Sequence, residues 1–311
     1  MNEGCVYRER VSAADDGVEV LTYHAERFRH SSIEDWCRAI EAGRVRVNER
    51  VAASSQVLRT GDRLEFHRPP WVEPAAPLHF RVVYEDDDLL ALDKPTGLQV
   101  LPGGPFHANT LLALVQKSSA SRADCAPVHR LGRGTSGLVL FGKNAATRAS
   151  LSAQFRDHDA RKTYLALASG TALPGSWIAR HPIGQRSHGL IQLACADPAG
   201  KPSATRLRVL VRDPARGRSL IAAQPITGRA HQIRIHLAAY GAPLVGDPLF
   251  GPGGLPIRNV CPGEGGYFLH AAALAVRHPT TGRWLKLRSC PSWPTSTATQ
   301  EPAARVAGEQ F

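Results

Sequence analysis

Two things are missing from this 311-residue sequence: paired cysteines, and any apolar run long enough to cross a bilayer. Cys5, Cys37, Cys125, Cys195, Cys261 and Cys290 stand far apart, without the short paired spacings that hold zinc or define a disulfide framework. They are expected to be reduced thiols of a cytoplasmic protein. The start of the chain, Met1-Asn2-Glu3-Gly4-Cys5, shows no basic stretch followed by an apolar one, so neither export nor membrane insertion is expected. No internal repeat is visible. Acid is also in short supply. Lys and Arg number 38 against 27 Asp and Glu, a formal charge of +11 that favours a polyanionic partner. Solubility alone is the competing explanation of that charge. With 43% hydrophobic and 21% charged residues the chain is globular rather than disordered, and its length suits one large domain with a smaller one.

Local patterns divide the chain into an N-terminal extension (1–27), a small module (28–67), a linker (68–79), a large domain (80–288) and a polar tail (289–311). Within the module, Ser31 and Glu34 have capping-box spacing. Ile33, Trp36, Cys37 and Ile40 share a helical face that ends at Gly43. Val45 and Val47 alternate with Arg44 and Arg46, and Arg63–Phe66 follows the Gly61-Asp62 turn, so strands are expected there. His67–Pro74 is rich in proline and reads as a stiff connector. In the large domain, strands are expected at Val82–Tyr84, Leu89–Leu92, Leu138–Phe141, Tyr164–Ala168, Leu207–Val211 and Leu220–Ala223. A helix opens at Asn144 with Leu151 and Phe155 one turn apart. Residues 251–266 read as a loop. This mixture points to an α+β fold with a large, mainly antiparallel sheet.

The segment His129-Arg130-Leu131-Gly132-Arg133-Gly134-Thr135-Ser136-Gly137 resembles the His-Arg-Leu-Asp-x-x-Thr-Ser-Gly pattern of the RluA-type pseudouridine synthases, the D/C type of the ribosomal large subunit. Three further segments resemble that family in order and spacing: Lys162–Ala166, Pro225–Leu237 with Gly246-Asp247 after it, and Leu269-His270-Ala271 leading to His278-Pro279 and Gly282. The resemblance covers roughly residues 80–288. Residues 28–67, through Gly43-x-Val45-x-Val47-Asn48 and Gly61-Asp62, resemble the S4 RNA-binding module, although no first helix is evident before Phe28. A structural cap on the larger domain is the alternative reading of this module.

The resemblance implies isomerisation of a uridine in structured RNA, ribosomal or transfer, by a monomer that needs no cofactor and no metal. The uracil must leave its stack and enter a pocket. Arg130 would fill the gap left by the flipped base. Tyr164 and Ile233 would face the two sides of the uracil, and Arg234 would stabilise charge. His129, Thr135, Ser136, Arg229, His231 and Gln232 would support the pocket, while Arg44 and Arg46 would meet phosphates from the small module. One departure matters. The family pattern places a carboxylate after His-Arg-Leu, able to serve as nucleophile or base, and here that position is Gly132. Asp247 is a weak candidate replacement beside a structural turn role, and Asp124, Asp157 and Asp159 lie nearer in sequence. Two other readings stay open: a catalytically inert RNA-binding or ribosome-assembly protein, and hydrolytic removal of the uracil.

Overall fold

The structure, a computed structural model, describes residues 1–188, 191–257 and 265–295. Their contacts divide into two compact units: one runs from Met1 to Pro74, and the other begins at Ala75.

The first unit contains β1 (Cys5–Arg10), α1 (Val20–Arg27), α2 (Ile33–Glu41), β2 (Val45–Val47), β3 (Arg50–Val51) and β4 (Arg63–Arg68). The strands form one antiparallel sheet in the order β1-β4-β2-β3. Val20, Tyr23, Ile40, Val45, Val47, Leu58 and Leu64 form its core, and each large apolar side chain removed from water contributes roughly 1.5–3 kcal/mol. Two readings of the sequence change here. The first helix exists as α1, ahead of Phe28. Its signal is weak because Glu19 makes no side-chain cap and only Val20, Tyr23 and His24 are buried. In α2 the capping box is Ser32 with Asp35, one residue later than the Ser31 and Glu34 spacing suggests. Ile33 is 57% exposed, and the buried face is Trp36, Ala39 and Ile40.

The second unit holds β5 (Arg81–Glu85), β6 (Leu89–Lys94), α3 (Leu111–Ser118), β7 (Ala126–Pro127), β8 (Ser136–Gly142) and α4 (Ala145–Arg156). Next come β9 (Arg161–Ser169), β10 (Ser176–Ala179), β11 (Ile183–His188), β12 (Ile191–Ala196), β13 (Thr205–Asp213) and β14 (Arg218–Pro225). The unit closes with α5 (Gln232–Ala239), β15 (Leu269–Arg277) and β16 (Trp284–Arg288). Among the described residues a ten-stranded sheet runs β10-β13-β14-β9-β15-β8-β6-β5, with β16 beside β15 and β7 beside β8. Its pairings are antiparallel except between β15 and β8. β11 and β12 form a separate ribbon.

Helices cover this sheet in an order that leaves a seam. α5 packs through Ile233 and Leu237 with Leu207, Ile221 and Ala223 of β13 and β14. α3 packs through Leu111 and Val115 with Leu90, Leu92, Val139 and Phe141 of β6 and β8. Tyr164 on β9 touches both clusters and therefore stands where they meet. α4 belongs to a different cluster, with Leu151 packed among Leu89, Leu138, Leu140 and Leu274. Period-2 alternation puts Leu90 and Leu92 on one face and Leu89 and Ala91 on the other. The expected loop at 251–266 and the polar tail fall partly on 258–264 and 296–311, outside the described residues.

Candidate active site

The loop that opens β8 is held from two sides. Beneath it, the turn after β6 captures its carbonyls. Lys94 Nζ donates to the carbonyl oxygens of Pro95 at 2.9 Å, Leu98 at 2.7 Å and Arg133 at 3.2 Å. Gly97 N also donates to Arg133 O, and Thr96 Oγ1 to Gly134 O, both at 2.8 Å. Lys94 is fully buried, and that burial, aided by the charge of Arg133, brings its ammonium down to about 7. Above the loop lies Tyr267, whose hydroxyl shares a 3.1 Å hydrogen bond with Thr135 Oγ1. The loop then enters β8 at Gly137, where φ is +108° and a Cβ would lie 2.4 Å from the Ala271 carbonyl oxygen. Only glycine allows β8 and β15 to come this close.

The second arm of the site is the segment entering α5. His231 holds a left-handed conformation, φ 55°, at the helix N-terminus. Gln232 braces the turn before it: Nε2 donates to Ala204 O and Thr205 Oγ1, and Oε1 accepts from Thr227 Oγ1 and Arg229 N. Burial pushes His231 down to about 4, with the charges of Arg234 and Arg130 adding and Asp247 opposing. Tyr267 links the two motifs, its hydroxyl bonded to Thr135 Oγ1 and its ring under the Arg234 guanidinium. Arg130 and Arg229 are themselves exposed.

Arg234 is 3% exposed and bound on every side. Its Nε and Nη2 donate to Asp247 Oδ2 and Oδ1 at 2.8 and 2.6 Å, a two-pronged carboxylate pair. The guanidinium carbon lies 4.2 Å from the centre of the Tyr267 ring and 4.9 Å from that of Phe250. Asp247 Oδ1 also accepts from Leu249 N and Phe250 N at 2.9 and 3.2 Å. Oδ1 takes three of these four donors and Oδ2 one, and with a side chain 1% exposed Asp247 is committed to its protein partners rather than presented to a ribose. It anchors Arg234 instead. Asp124, Asp157 and Asp159 are exposed, and Asp157 pairs with neighbouring Arg156. Among the described residues, Asp247 is the one carboxylate hydrogen-bonded to this cluster.

Tyr164 pairs with Ala223 of β14 and Ala271 of β15 and packs against the cluster containing Ile233, so the aromatic ring and the aliphatic wall share a neighbourhood. Burial raises its phenol to about 12, which keeps it neutral. His129 serves a structural end. Its Nε2 accepts from Leu140 N at 3.1 Å, and its ring stacks on Phe155 of α4 at 4.3 Å. Burial first, then nearby Lys162, lowers it to about 3, so it stays uncharged. Ser136 Oγ shares a 2.9 Å hydrogen bond with His270 Nδ1. In the first unit Arg44 is exposed, whereas Arg46 is half-buried and its Nε has no hydrogen-bond partner.

Gly132 has room for little. A Cβ there would lie 3.3 Å from Tyr267 Oη and 3.6 Å from Thr135 Oγ1, so an Asp fits only if the phenol yields slightly. Tyr267 escaped the reading of the sequence, as did Phe250. A tyrosine at a strand entry carries no distinguishing pattern, and it lies 132 positions from the threonine it touches.

Comparison with known proteins gives a consistent set of likenesses. Residues 88–239 match the model of the RNA pseudouridylate synthase family. The chain is 40% identical over 271 residues to an uncharacterised RNA pseudouridine synthase of Synechocystis, covering 86% of this chain and 92% of that one. It is 37% identical to RNA pseudouridine synthase 5 of Oryza sativa, covering 92% of this chain and 86% of that protein. It is 31% identical to ribosomal large subunit pseudouridine synthase C of Vibrio parahaemolyticus, covering 91% and 93%. Among solved structures, human RNA pseudouridylate synthase domain containing 1 aligns with a TM-score of 0.54 at 25% identity, covering 71% of this chain and 86% of that one.

Proposed function

This chain belongs to the RNA pseudouridylate synthase family, and from that premise we propose that it isomerises uridine to pseudouridine in structured RNA, ribosomal or transfer. The observation that carries this reading is the convergence around Tyr164: an aromatic ring at the seam of two core clusters, packed against the one that holds Ile233 and Tyr267, with Arg234 lying over the Tyr267 ring. Uracil offers two flat faces and a polar edge, and a ring opposite an aliphatic side chain suits those faces. Arg130, exposed at the mouth of the loop, would occupy the space the base vacates and neutralise phosphate. Thr135, Arg229, His231 and Gln232 would keep the two arms in register, and Arg44 and Arg46 would take phosphates from the first unit. His129 and Ser136 would support the loop from behind. The protein would act as a cytoplasmic monomer with RNA as its partner, without a cofactor or metal.

The reaction moves the C1′ bond from N1 to C5 of the same uracil, so base and ribose must stay in one closed pocket. Tyr164 stays neutral at working pH and would pack on the base rather than exchange protons. Arg234, already paired with Asp247, would brace the pocket wall through Tyr267 rather than serve as the partner of an acid at position 132.

The test is to incubate the purified protein with unmodified transcripts of ribosomal and transfer RNA and to separate the digested nucleosides by chromatography. The expected result is pseudouridine at a defined position, with no free uracil. Salt-sensitive RNA binding without pseudouridine would instead favour an inert binding protein.

A further inference from the structure

The family pattern leaves the reacting oxygen unassigned in this chain, because Gly132 has no side chain and Asp247 is buried and tied to Arg234. We propose that the phenol oxygen of Tyr267 takes the place of the missing carboxylate and acts as the nucleophile at ribose C1′. This rests on the uridine isomerase reading above.

Four observations carry it. First, a side chain built on Gly132 would point at Tyr267 Oη, 3.3 Å from its Cβ, so the phenol already holds space into which an acid at 132 would extend. Second, the loop is shaped around the ring: a Cβ on Gly134 would lie 2.7 and 2.9 Å from Tyr267 ring carbons. A ring needed only as filler would be served by phenylalanine. Third, the hydroxyl has a polar neighbour able to pass a proton, Thr135 Oγ1 at 3.1 Å. Fourth, the Arg234 guanidinium lies over the ring, 4.2 Å from its centre, and holds the phenol in place beside the loop. Tyr267 is 6% exposed, so its oxygen would work in a largely dry setting.

The step balances without any co-reactant. The phenol oxygen bonds to C1′ as the C1′–N1 bond breaks, and the phenol proton passes through Thr135 to N1 of the departing uracil. The uracil turns, and C5 bonds to C1′ as the C1′–O bond to Tyr267 breaks. The C5 proton then returns to the phenolate. Nothing is oxidised or reduced, and the tyrosine is regenerated. Tyrosine is a known nucleophile at the anomeric carbon in one class of glycoside-cleaving enzymes, so the chemistry is within its range.

The experiment compares the full-length wild type with Tyr267→Phe and with a form carrying fluorotyrosine at 267, each on a transcript that wild type modifies. For Tyr267→Phe the expected result is a fall in kcat on the order of 100-fold or more, with RNA affinity unchanged. Fluorotyrosine has a more acidic phenol, so the alkaline limb of the kcat profile should move to lower pH. A Tyr267→Phe enzyme with the wild-type rate, or a pH profile unmoved by fluorotyrosine, would overturn the inference and leave the isomerase reading intact. If wild type forms no pseudouridine on any RNA, both fall together.

Discussion

At the scale of single residues, the site works through groups whose charge state is fixed in advance. Arg234 and Asp247 are a buried pair whose separation is costly in either direction, because removing one charge strands the other. Asp247→Asn should therefore destabilise the protein by about 3–5 kcal/mol in urea titrations. A mere turn residue would cost far less. The buried imidazoles give a second expectation. His129 is lowered to about 3, and His231 and His236 to about 4, mainly by burial. In the unfolded chain each titrates near 6.5. Between those values the unfolded state binds more protons, so stability is full above pH 6.5 and is lost as pH falls towards 4. Melting curves at pH 7.5 and 5 should show a marked drop. That drop should shrink in His129→Gln, whose amide oxygen can still accept from Leu140 N. The presence and order of the site motifs were legible in the sequence because local residue strings carry them. The partners of Arg234 and the ring over Gly132 were not, since both depend on which distant segments fold together.

At the scale of elements, what could be read was set by how strongly burial imposed a period. β6 and β8 are long apolar runs buried on both faces, and α4 begins at a clear Asn144 cap, so all three were evident. The other two helices of interest lacked such signals. α1 has no side-chain cap, and α5 is buried from Gln232 to Ala238, so neither shows a sharp polar face against an apolar one. The first unit was legible through α2 and β2, but the pairing of β1 was not: the residues of β1 pair with β4 across most of the unit, and sequence pattern says little about distant pairing. The tightest joint is that between β8 and β15. Gly137→Ala would force a methyl into the Ala271 backbone at a φ that disfavours it, at a cost on the order of 3 kcal/mol or more. Amide exchange should then accelerate along β8 and β15 first. Protection unchanged in those strands would show that the joint tolerates a side chain.

At the scale of the whole molecule, charge is unevenly shared. Met1–Pro74 contains 11 Arg and no Lys against 13 Asp and Glu, so the chain's net +11 arises beyond it. Attraction to RNA should accordingly depend chiefly on the second unit, with Arg44 and Arg46 adding local contacts rather than a broad positive field. Plots of log affinity against log salt should be steep, and Arg130→Ala should flatten the slope by about one. Arg156→Ala, which removes a guanidinium already facing Asp157, should leave the slope unchanged.

The central claim is that this cleft isomerises uridine although position 132 carries no carboxylate. It is tested most directly with RNA whose uridines carry tritium at C5, because moving the glycosidic bond to C5 must release that hydrogen to water. The wild-type protein, with Gly132 in place, should release tritium in proportion to the pseudouridine formed. Release only after Gly132→Asp, from an otherwise folded and RNA-binding protein, would contradict the account.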